Sequence, residues 1–183
     1  MDTRERLVES TRELLWERGY VGTSPKAIQE RSGVGQGSMY HHFAGKTDLA
    51  LAAIQRTAAD LRAAAAADLD GPGSPADRVM AYLRRSREVL RGCPVGRMTQ
   101  DPDVATDRRL RQPLADTFEW LRGRLAAVLA PALPDGVPAE AIAATILATL
   151  QGGYVLARAA GDTEPFDRAI DGIQELLTRT MGG

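Results

Sequence analysis

The chain has 183 residues, of which 44% are apolar and 26% charged, and its formal net charge is −1. This composition is typical of a folded globular protein, and no apolar run approaches the roughly 18 residues of a membrane span. The charged start, MDTRERLVES, lacks the apolar core of a secretion signal, so we expect a cytoplasmic protein without a membrane partner. The single cysteine, Cys93, excludes an intramolecular disulfide, and its spacing from His41 and His42 predicts no metal site; no cofactor is expected.

Almost every segment of the chain predicts helix, because β-branched residues nowhere alternate with polar ones. In the first third, Asp2 and Glu5 form a capping-box pattern that starts a helix, and Ser24 followed by Pro25 is a second start signal. A glycine-rich turn at residues 33–35 separates two short helices. We predict helices at about 3–18, 25–32, 36–42 and 46–67.

The clearest break in the chain is Asp70-Gly-Pro-Gly-Ser-Pro75, which divides the first four helices from the rest. Residues 95–104 show no helical pattern, and Pro113 is expected to kink or split the helix that contains it. We predict the later helices at about 75–91, 104–130, 139–160 and 165–181. The predicted fold class is therefore all-α.

Residues 25–42 predict a helix-turn-helix, two short helices whose second member can enter the DNA major groove. Residues 1–50 carry seven basic and seven acidic side chains, so affinity for phosphates must come from placement rather than from excess charge. Met39 and Phe43 are expected to face the core of this head. The predicted DNA contacts are Ser24, Lys26, Gln36, Gly37, Ser38, Tyr40, His41, His42 and Lys46.

Within this set, Gln36 or Ser38 could read base edges, while Tyr40 and His41 could hold phosphates. Lys46 and the N–H groups of the helix that it starts predict a further phosphate site. Each assignment has an alternative from the residues alone. Tyr40 could be a core aromatic, and the histidines and Lys46 could be solvated surface residues.

Residues 4–54 resemble the N-terminal domain of the TetR family of transcriptional regulators. The resemblance rests on Gly19-Tyr20-Val21-Gly22-Thr23-Ser24, Ile28, Gly33-Val34, Gln36-Gly37-Ser38-Met39-Tyr40-His41-His42-Phe43 and Lys46-Thr47-Asp48-Leu49. One departure is Gln36, where the family often has lysine, so a contact there is weaker or altered. The resemblance implies a three-helix DNA-binding head (residues 1–50) and a helical ligand-binding and dimerisation body (residues 51–183).

The same resemblance implies a function. The similarity implies a repressor that acts as a homodimer. A two-fold dimer carries two recognition helices, so its operator is expected to be palindromic. Release from DNA by a small, largely apolar effector is implied as well. The expected partners are therefore double-stranded operator DNA, a second copy of the chain and a small molecule of unknown identity.

The helix predicted at 139–160 is apolar nearly all round, so one face is expected to meet its own body and another a second subunit. The last helix carries a narrow apolar stripe, and the two helices are predicted to pair with their copies as a four-helix bundle. The alternative is that both stripes are intrachain core. The predicted dimer residues are Ile142, Ile146, Gly153, Ala157, Ile170, Ile173 and Leu177.

Large or soft side chains in the middle of the body suit a mainly apolar cavity. The segments Gly92–Met98 and Leu150–Gly153 look similar to the lincomycin-repressor-like branch of the family, also represented by YxaF, whose members respond to drug-like or flavonoid-like molecules. The predicted pocket residues are Tyr82, Cys93, Met98, Phe118, Trp120, Leu121 and Tyr154.

Other classes of function are less well supported. An enzyme is not expected, because the sequence contains no nucleophile–base pair, metal triad or nucleotide loop. The pattern Gly33-x-Gly35-x-Gly37 is not a dinucleotide-binding loop, because Ser38 stands where that loop needs a further glycine. A helical adaptor that has lost DNA binding stays open, as does activation in place of repression. The sequence does not give the operator or the effector.

Overall fold

The computed structural model describes residues 1–181, and that part of the chain is helical throughout, without a strand. The α-helices are α1 (Thr3–Arg18), α2 (Pro25–Ser32), α3 (Gln36–His42), α4 (Lys46–Leu69), α5 (Pro75–Arg84), α6 (Pro102–Thr106), α7 (Arg108–Leu129), α8 (Ala139–Ala160) and α9 (Glu164–Met181). Short 3₁₀ helices lie at Val89–Arg91, Gly96–Gln100 and Ala130–Ala132. The predicted all-α class is confirmed.

Side-chain caps explain where the first helices begin. The Asp2 carboxylate accepts a hydrogen bond from the backbone N–H of Glu5 at 2.7 Å and so starts α1. The Ser24 hydroxyl accepts from the backbone N–H of Ala27 at 3.1 Å, and proline follows it at the first position of α2. Gly33 ends α2 with φ 65°, in the left-handed region that favours glycine.

The middle of the chain differs from the prediction in three places. α5 ends at Arg84 rather than near residue 91, because Arg85 is extended and the Arg87 guanidinium donates to the Leu83 carbonyl at 2.8 Å and to that of Tyr82. Residues 95–104, predicted irregular, contain a 3₁₀ turn and the start of α6. α7 runs unsplit through Pro113, which lies in its second turn and removes one backbone donor near the helix start.

The described chain divides into two compact units. The first contains residues 1–60 and 94–116, and the second contains residues 61–93 and 117–181. Each has its own apolar core: Leu7, Leu14, Ile28, Met39, Leu49 and Leu110 are fully buried in the first, and Leu69, Leu83, Leu125, Leu129 and Ile146 in the second. The predicted domain boundary between residues 50 and 51 stays a prediction.

Helix α8 pairs with α9 in the second unit. A Cβ atom at Gly153 would lie 2.9 Å from Cδ2 of Phe166, and the rings of Tyr154 and Phe166 are 4.8 Å apart, so the two helices approach closely here. By length and composition alone, α8 could cross a membrane, with a mean hydropathy of 1.3. Core helices of soluble proteins share this property, so it is weak evidence for a span.

Candidate nucleic-acid interface

Helices α2 and α3 are joined by a short glycine turn within the first unit. Gly33 takes the left-handed conformation, Val34 is buried in the turn, and Gly35 precedes the first residue of α3 without a side-chain cap. Helix α1 packs against both α2 and α3, so the pair is held on a common apolar core. This is the geometry predicted for a helix-turn-helix.

Helix α3 has one buried face and one polar exposed face. Met39 is buried, as is Phe43 directly after the helix, and both therefore face the core as predicted. Tyr40 is 48% exposed, which excludes the alternative of a core aromatic. The other predicted contacts on α3 are also exposed, namely Gln36, Gly37, Ser38, His41 and His42.

Glycine at position 37 is not required by the packing of this chain. A Cβ atom built at Gly37 would have no heavy atom within 4 Å, and its φ does not lie in the left-handed region. No side chain therefore covers the backbone of α3 at this point, and a DNA backbone or base edge can approach the helix axis here.

Lys46, the first residue of α4, is held by an aromatic ring. Its Nζ lies 3.9 Å from the ring centroid of Tyr20, whose hydroxyl is hydrogen-bonded to Oγ1 of Thr47 at 2.8 Å. Partial burial lowers the pKa of Lys46, and the charges of Asp103 and Asp101 offset part of that effect. Tyr20 thus fixes the lysine beside the N–H groups that start α4.

Asp101 organises this corner of the first unit, although sequence reasoning did not single it out. Its Oδ2 accepts from the backbone N–H of Tyr20 at 2.8 Å and of Val21 at 3.0 Å. Its Oδ1 accepts from the N–H groups of Asp103 at 3.1 Å and Val104 at 3.4 Å, and so caps α6. One carboxylate therefore joins the α1–α2 link to the start of α6.

Two of the five arginines of the head are paired with acidic groups. Arg12 contacts Glu9 at 2.9 Å and Asp60 at 2.6 Å, and Arg31 forms two 2.8 Å hydrogen bonds to the Glu17 carboxylate. The remaining predicted contacts lie on α2: Ser24 serves as its cap, and Lys26 is exposed, with Glu30 at 3.8 Å. The predicted contacts on α2 and α3 are thus exposed to solvent.

The residues predicted for the ligand pocket are not all brought together. Met98 lies in the first unit, where it lines a small cavity with Leu15 and Pro94. The other six lie in the second unit, where Phe118 and Trp120 are half-buried and Tyr82, Cys93, Leu121 and Tyr154 are buried.

Two of these residues, Tyr82 and Tyr154, lie near the half-buried guanidinium of Arg87. The Arg87 guanidinium carbon lies 5.4 Å from the ring centroid of Tyr82, and its charge also acts on Tyr154. Burial raises the pKa of both phenols, while the positive charge of Arg87 lowers it in part. Both hydroxyl groups therefore stay protonated at neutral pH and can donate hydrogen bonds.

The structure places the predicted dimer residues inside a single chain. Ile142 is half-buried, and the other six are buried, chiefly where α8 packs on α9. The reason is that α8 is apolar on several faces, so its pattern alone did not show which face meets its own chain. The exposed apolar side chains of these two helices are Val155 (54% exposed), Leu156 (56%) and Leu176 (61%).

The capped α2, the glycine turn and the exposed polar face of α3 define a helix-turn-helix transcriptional regulator. Residues 7–53 match the bacterial regulatory proteins of the tetR family, and residues 75–171 match the C-terminal domain of LmrA/YxaF-like transcriptional regulators. The chain belongs to the TetR family and has an LmrA/YxaF-like body. The resemblance found in the sequence is thereby confirmed.

Individual relatives agree along nearly the whole chain. The HTH-type transcriptional regulator LmrA of Bacillus subtilis is 26% identical over 186 residues, which cover 97% of this chain and 98% of the relative. The HTH-type transcriptional repressor DhaR of a Mycobacterium species is 25% identical, with 95% and 91% covered. A TetR regulator from Chloroflexus aurantiacus has a similar solved structure, with a TM-score of 0.87, 27% identity and 97% and 95% of the two chains covered.

Regulators of this family are DNA-binding proteins rather than enzymes, and the class predicted from the sequence is confirmed in that respect. Members of the family act as dimers and are generally cytoplasmic. This chain is therefore a transcriptional regulator of the TetR family, and the exposed face of α3 is its candidate DNA-binding surface.

Proposed function

We propose that this protein is a ligand-responsive repressor, which binds a near-palindromic operator as a homodimer and is released by a small, largely apolar effector in the cytoplasm. The observation that carries the proposal is the polar, exposed face of α3, whose opposite face is fixed in the core by Met39 and Phe43. A rigid scaffold under an exposed reading surface is what operator recognition needs.

The side chains of α3 divide into two roles. Gln36 and Ser38 are proposed to contact base edges, where a glutamine can bind adenine through two hydrogen bonds. Tyr40 and His41 are proposed to hold phosphates, and Lys46 adds a charged contact at the start of α4. Ser24, Lys26 and His42 complete the proposed surface around them.

Dimerisation is proposed to use the exposed apolar faces of α8 and α9, at Val155, Leu156 and Leu176. These side chains are unusually exposed for their size, and a second copy would remove them from water. The seven residues first predicted for the interface would then support it indirectly, because they pack α8 against α9 within one chain. A two-fold dimer of this kind presents two copies of α3 to neighbouring major grooves.

The effector is proposed to bind among the apolar side chains of the second unit, near Tyr82, Cys93, Leu121 and Tyr154, with Phe118 and Trp120 at its margin. Residues 94–116 provide a covalent route to the head, because they belong to the first unit and continue into the second at both ends. An effector can change operator affinity only through a difference in its own affinity for the two states.

Selection of bound duplexes from a random DNA library tests the proposal. Enrichment of a near-palindromic site is expected, followed by retardation of genomic fragments that contain it. Tyr40→Ala is expected to weaken binding of every sequence, because it removes a phosphate contact. If no duplex is enriched even at low salt, the proposal of a repressor fails, and the adaptor alternative gains support.

A further inference from the structure

A groove of about 490 Å³ lies in the second unit, between the end of α5 and α9. Its size is within the range of small-molecule sites, about 300–1,000 Å³. Leu83, Phe166 and Ile170 give it an apolar floor, and arginines from the end of α5 and the loop after it form one wall. None of the seven residues predicted for the effector pocket lines this groove.

Gln174 is the unusual residue of the groove. It is only 8% exposed, and its Oε1 accepts from Nε and Nη2 of Arg84 at 3.3 and 3.2 Å. Because both donors lie on the oxygen, the orientation of the amide is fixed. The Nε2 group is buried and has no hydrogen-bond acceptor in the described part of the chain. A buried amide with two unused donors is costly, and because Gln174 lines the groove, an acceptor group on a bound ligand would remove that cost.

Arg84 supplies the charge beside that amide. The two nearby arginines already have partners. Arg85 pairs with Asp68 at 3.3 Å, and Arg87 donates hydrogen bonds to the carbonyls at the end of α5. Arg84 is held by the neutral Gln174, and the described ion pairs include no carboxylate partner for it. A guanidinium next to an amide N–H₂ group is the donor arrangement that recognises a carboxylate.

Two carboxylates on α9 limit the charge of a ligand. Asp167, which accepts from the Thr163 hydroxyl at 3.3 Å, and Asp171 also line the groove. Their repulsion disfavours phosphates and other multiply charged anions, since like charges at close range are destabilising. A single carboxylate near Arg84 and Gln174 meets less repulsion than a multiply charged anion, because the repulsion scales with the charge of the ligand.

We infer that this groove binds a small monocarboxylate with an apolar body, with Arg84 as its counter-charge and the Gln174 amide as a hydrogen-bond donor. The inference goes beyond the proposed function, because none of the residues proposed for the effector pocket lines this groove and its occupation does not depend on DNA binding. It also assigns a use to the two unsatisfied donors on Gln174.

Titration of the full-length, isotope-labelled protein with phenylacetate tests this site, and phenylacetamide is its uncharged isostere. NMR follows the side-chain resonances of Gln174 Nε2 and Arg84 Nε, identified by their loss in the corresponding variants. Both are expected to shift and saturate with phenylacetate. Phenylacetamide should bind at least about tenfold more weakly, because the charge-assisted contact is lost.

Variants locate the binding. Arg84→Met and Gln174→Leu are each expected to weaken phenylacetate binding at least about tenfold, since each removes one donor group and keeps the side-chain volume. Arg179→Met is the control, because Arg179 also lies on α9 but pairs with Glu175 outside the groove. Because Arg84 is exposed, Arg84→Met is expected to fold, and it tests the site even if Gln174→Leu does not fold.

Several results would overturn the inference. These are equal affinity for phenylacetate and phenylacetamide, equal affinity for inorganic phosphate, unchanged binding in Arg84→Met, or no shift of the two resonances at millimolar phenylacetate. Failure to find an operator leaves this test intact, so the two proposals can fail separately.

Discussion

The Asp101 carboxylate accepts a 2.8 Å hydrogen bond from the backbone N–H of Tyr20, a residue 81 positions earlier in the chain. Tyr20 in turn holds Lys46 over its ring. Asp101 is therefore connected to Lys46, the lysine proposed to contact DNA, through one intermediate residue within the first unit. A residue far from the helix-turn-helix in sequence thus helps to set the geometry of the head.

Replacement of Asp101 by alanine is expected to lower operator affinity about tenfold, or ~1.4 kcal/mol. The variant loses the acceptor for Tyr20 and Val21, so the α1–α2 link and Lys46 are no longer fixed. The free energy of unfolding should also fall by about 1–3 kcal/mol, because the partly buried N–H group of Tyr20 loses its acceptor and α6 loses its cap. Fluorescence anisotropy with a labelled operator and thermal unfolding measure the two effects.

Asp103→Ala is the matched control for that variant. Asp103 also acts electrostatically on Lys46, but its carboxylate is not the acceptor for the α1–α2 link. Operator affinity should stay the same or rise slightly in this variant, since a negative charge near DNA is removed. If both substitutions weaken binding equally, the hydrogen bonds of Asp101 to the α1–α2 link do not explain its effect.

Lys46→Ala is expected to reduce operator affinity and to make its salt dependence shallower by about 0.9 in the slope of log K against log salt, the value for one phosphate contact. The lysine sits at a helix start, where the N–H groups also favour an anion. Arg56→Ala removes a positive charge from the same helix, and Arg56 lies near Glu5 and Asp60. An equal change of slope in both variants would contradict a specific role for Lys46.

Operator affinity is expected to fall with rising pH sooner than it would for an ordinary lysine contact. Burial lowers the pKa of Lys46, so the free protein loses this proton at a lower pH. Only the protonated form attracts phosphate: affinity is constant well below the pKa and declines as the pH passes through it. Lys46→Arg keeps its charge over this range and should remove the decline. Affinity titrations of both proteins up to alkaline pH check this.

Leu156→Asp is expected to raise the dimer dissociation constant at least about a hundredfold, because an unpaired charge would be buried in the apolar interface. Analytical ultracentrifugation should then detect the 19.7 kDa chain as a monomer at concentrations where the parent protein is dimeric. Leu90→Asp is the control, since Leu90 is similarly exposed but lies outside α8 and α9. A Leu156→Asp protein that stays dimeric would place the interface elsewhere.

Gly153→Ala is expected to destabilise the protein by about 1–3 kcal/mol, the usual cost of overpacking. The added methyl group would lie 2.9 Å from Cδ2 of Phe166, so α8 and α9 must move apart. Gly123→Ala is the opposite case, because nothing lies within 4 Å of the Cβ position and the glycine is inside α7. It should stabilise the protein by about 0.5–1 kcal/mol. Urea unfolding of both variants measures the difference.

Local signals in the sequence were enough to predict the head. Ser24 before Pro25, Gly33 after Ser32 and the buried spacing of Met39 and Phe43 each depend on neighbouring residues, and the structure agrees with all of them. The same signal was present but not used at Asp101-Pro102, which caps α6 in the way that Ser24 caps α2. That reasoning would have predicted α6, though not the bond to Tyr20.

Other features depend on contacts that a pattern does not contain. The end of α5 is set by Arg87, whose guanidinium folds back onto the Leu83 carbonyl, and no breaker stands at that position in the sequence. The inner face of α8 is set by its fit to α9 through Gly153, whereas an all-apolar helix offers several equivalent faces. The exposed side of α3 was predictable, because Met39 and Phe43 are four residues apart and therefore lie on one face of the helix.

The ion pairs of Arg12 and Arg31 bear on how many molecules of the regulator a cell needs. These pairs neutralise two of the five arginines in residues 1–50, and the seven basic and seven acidic side chains of that segment balance, so excess charge gives the head little attraction for an arbitrary stretch of duplex. A chromosome offers millions of such competing stretches, and weak attraction to each leaves more protein available for the operator. A low copy number is then sufficient to keep one site occupied.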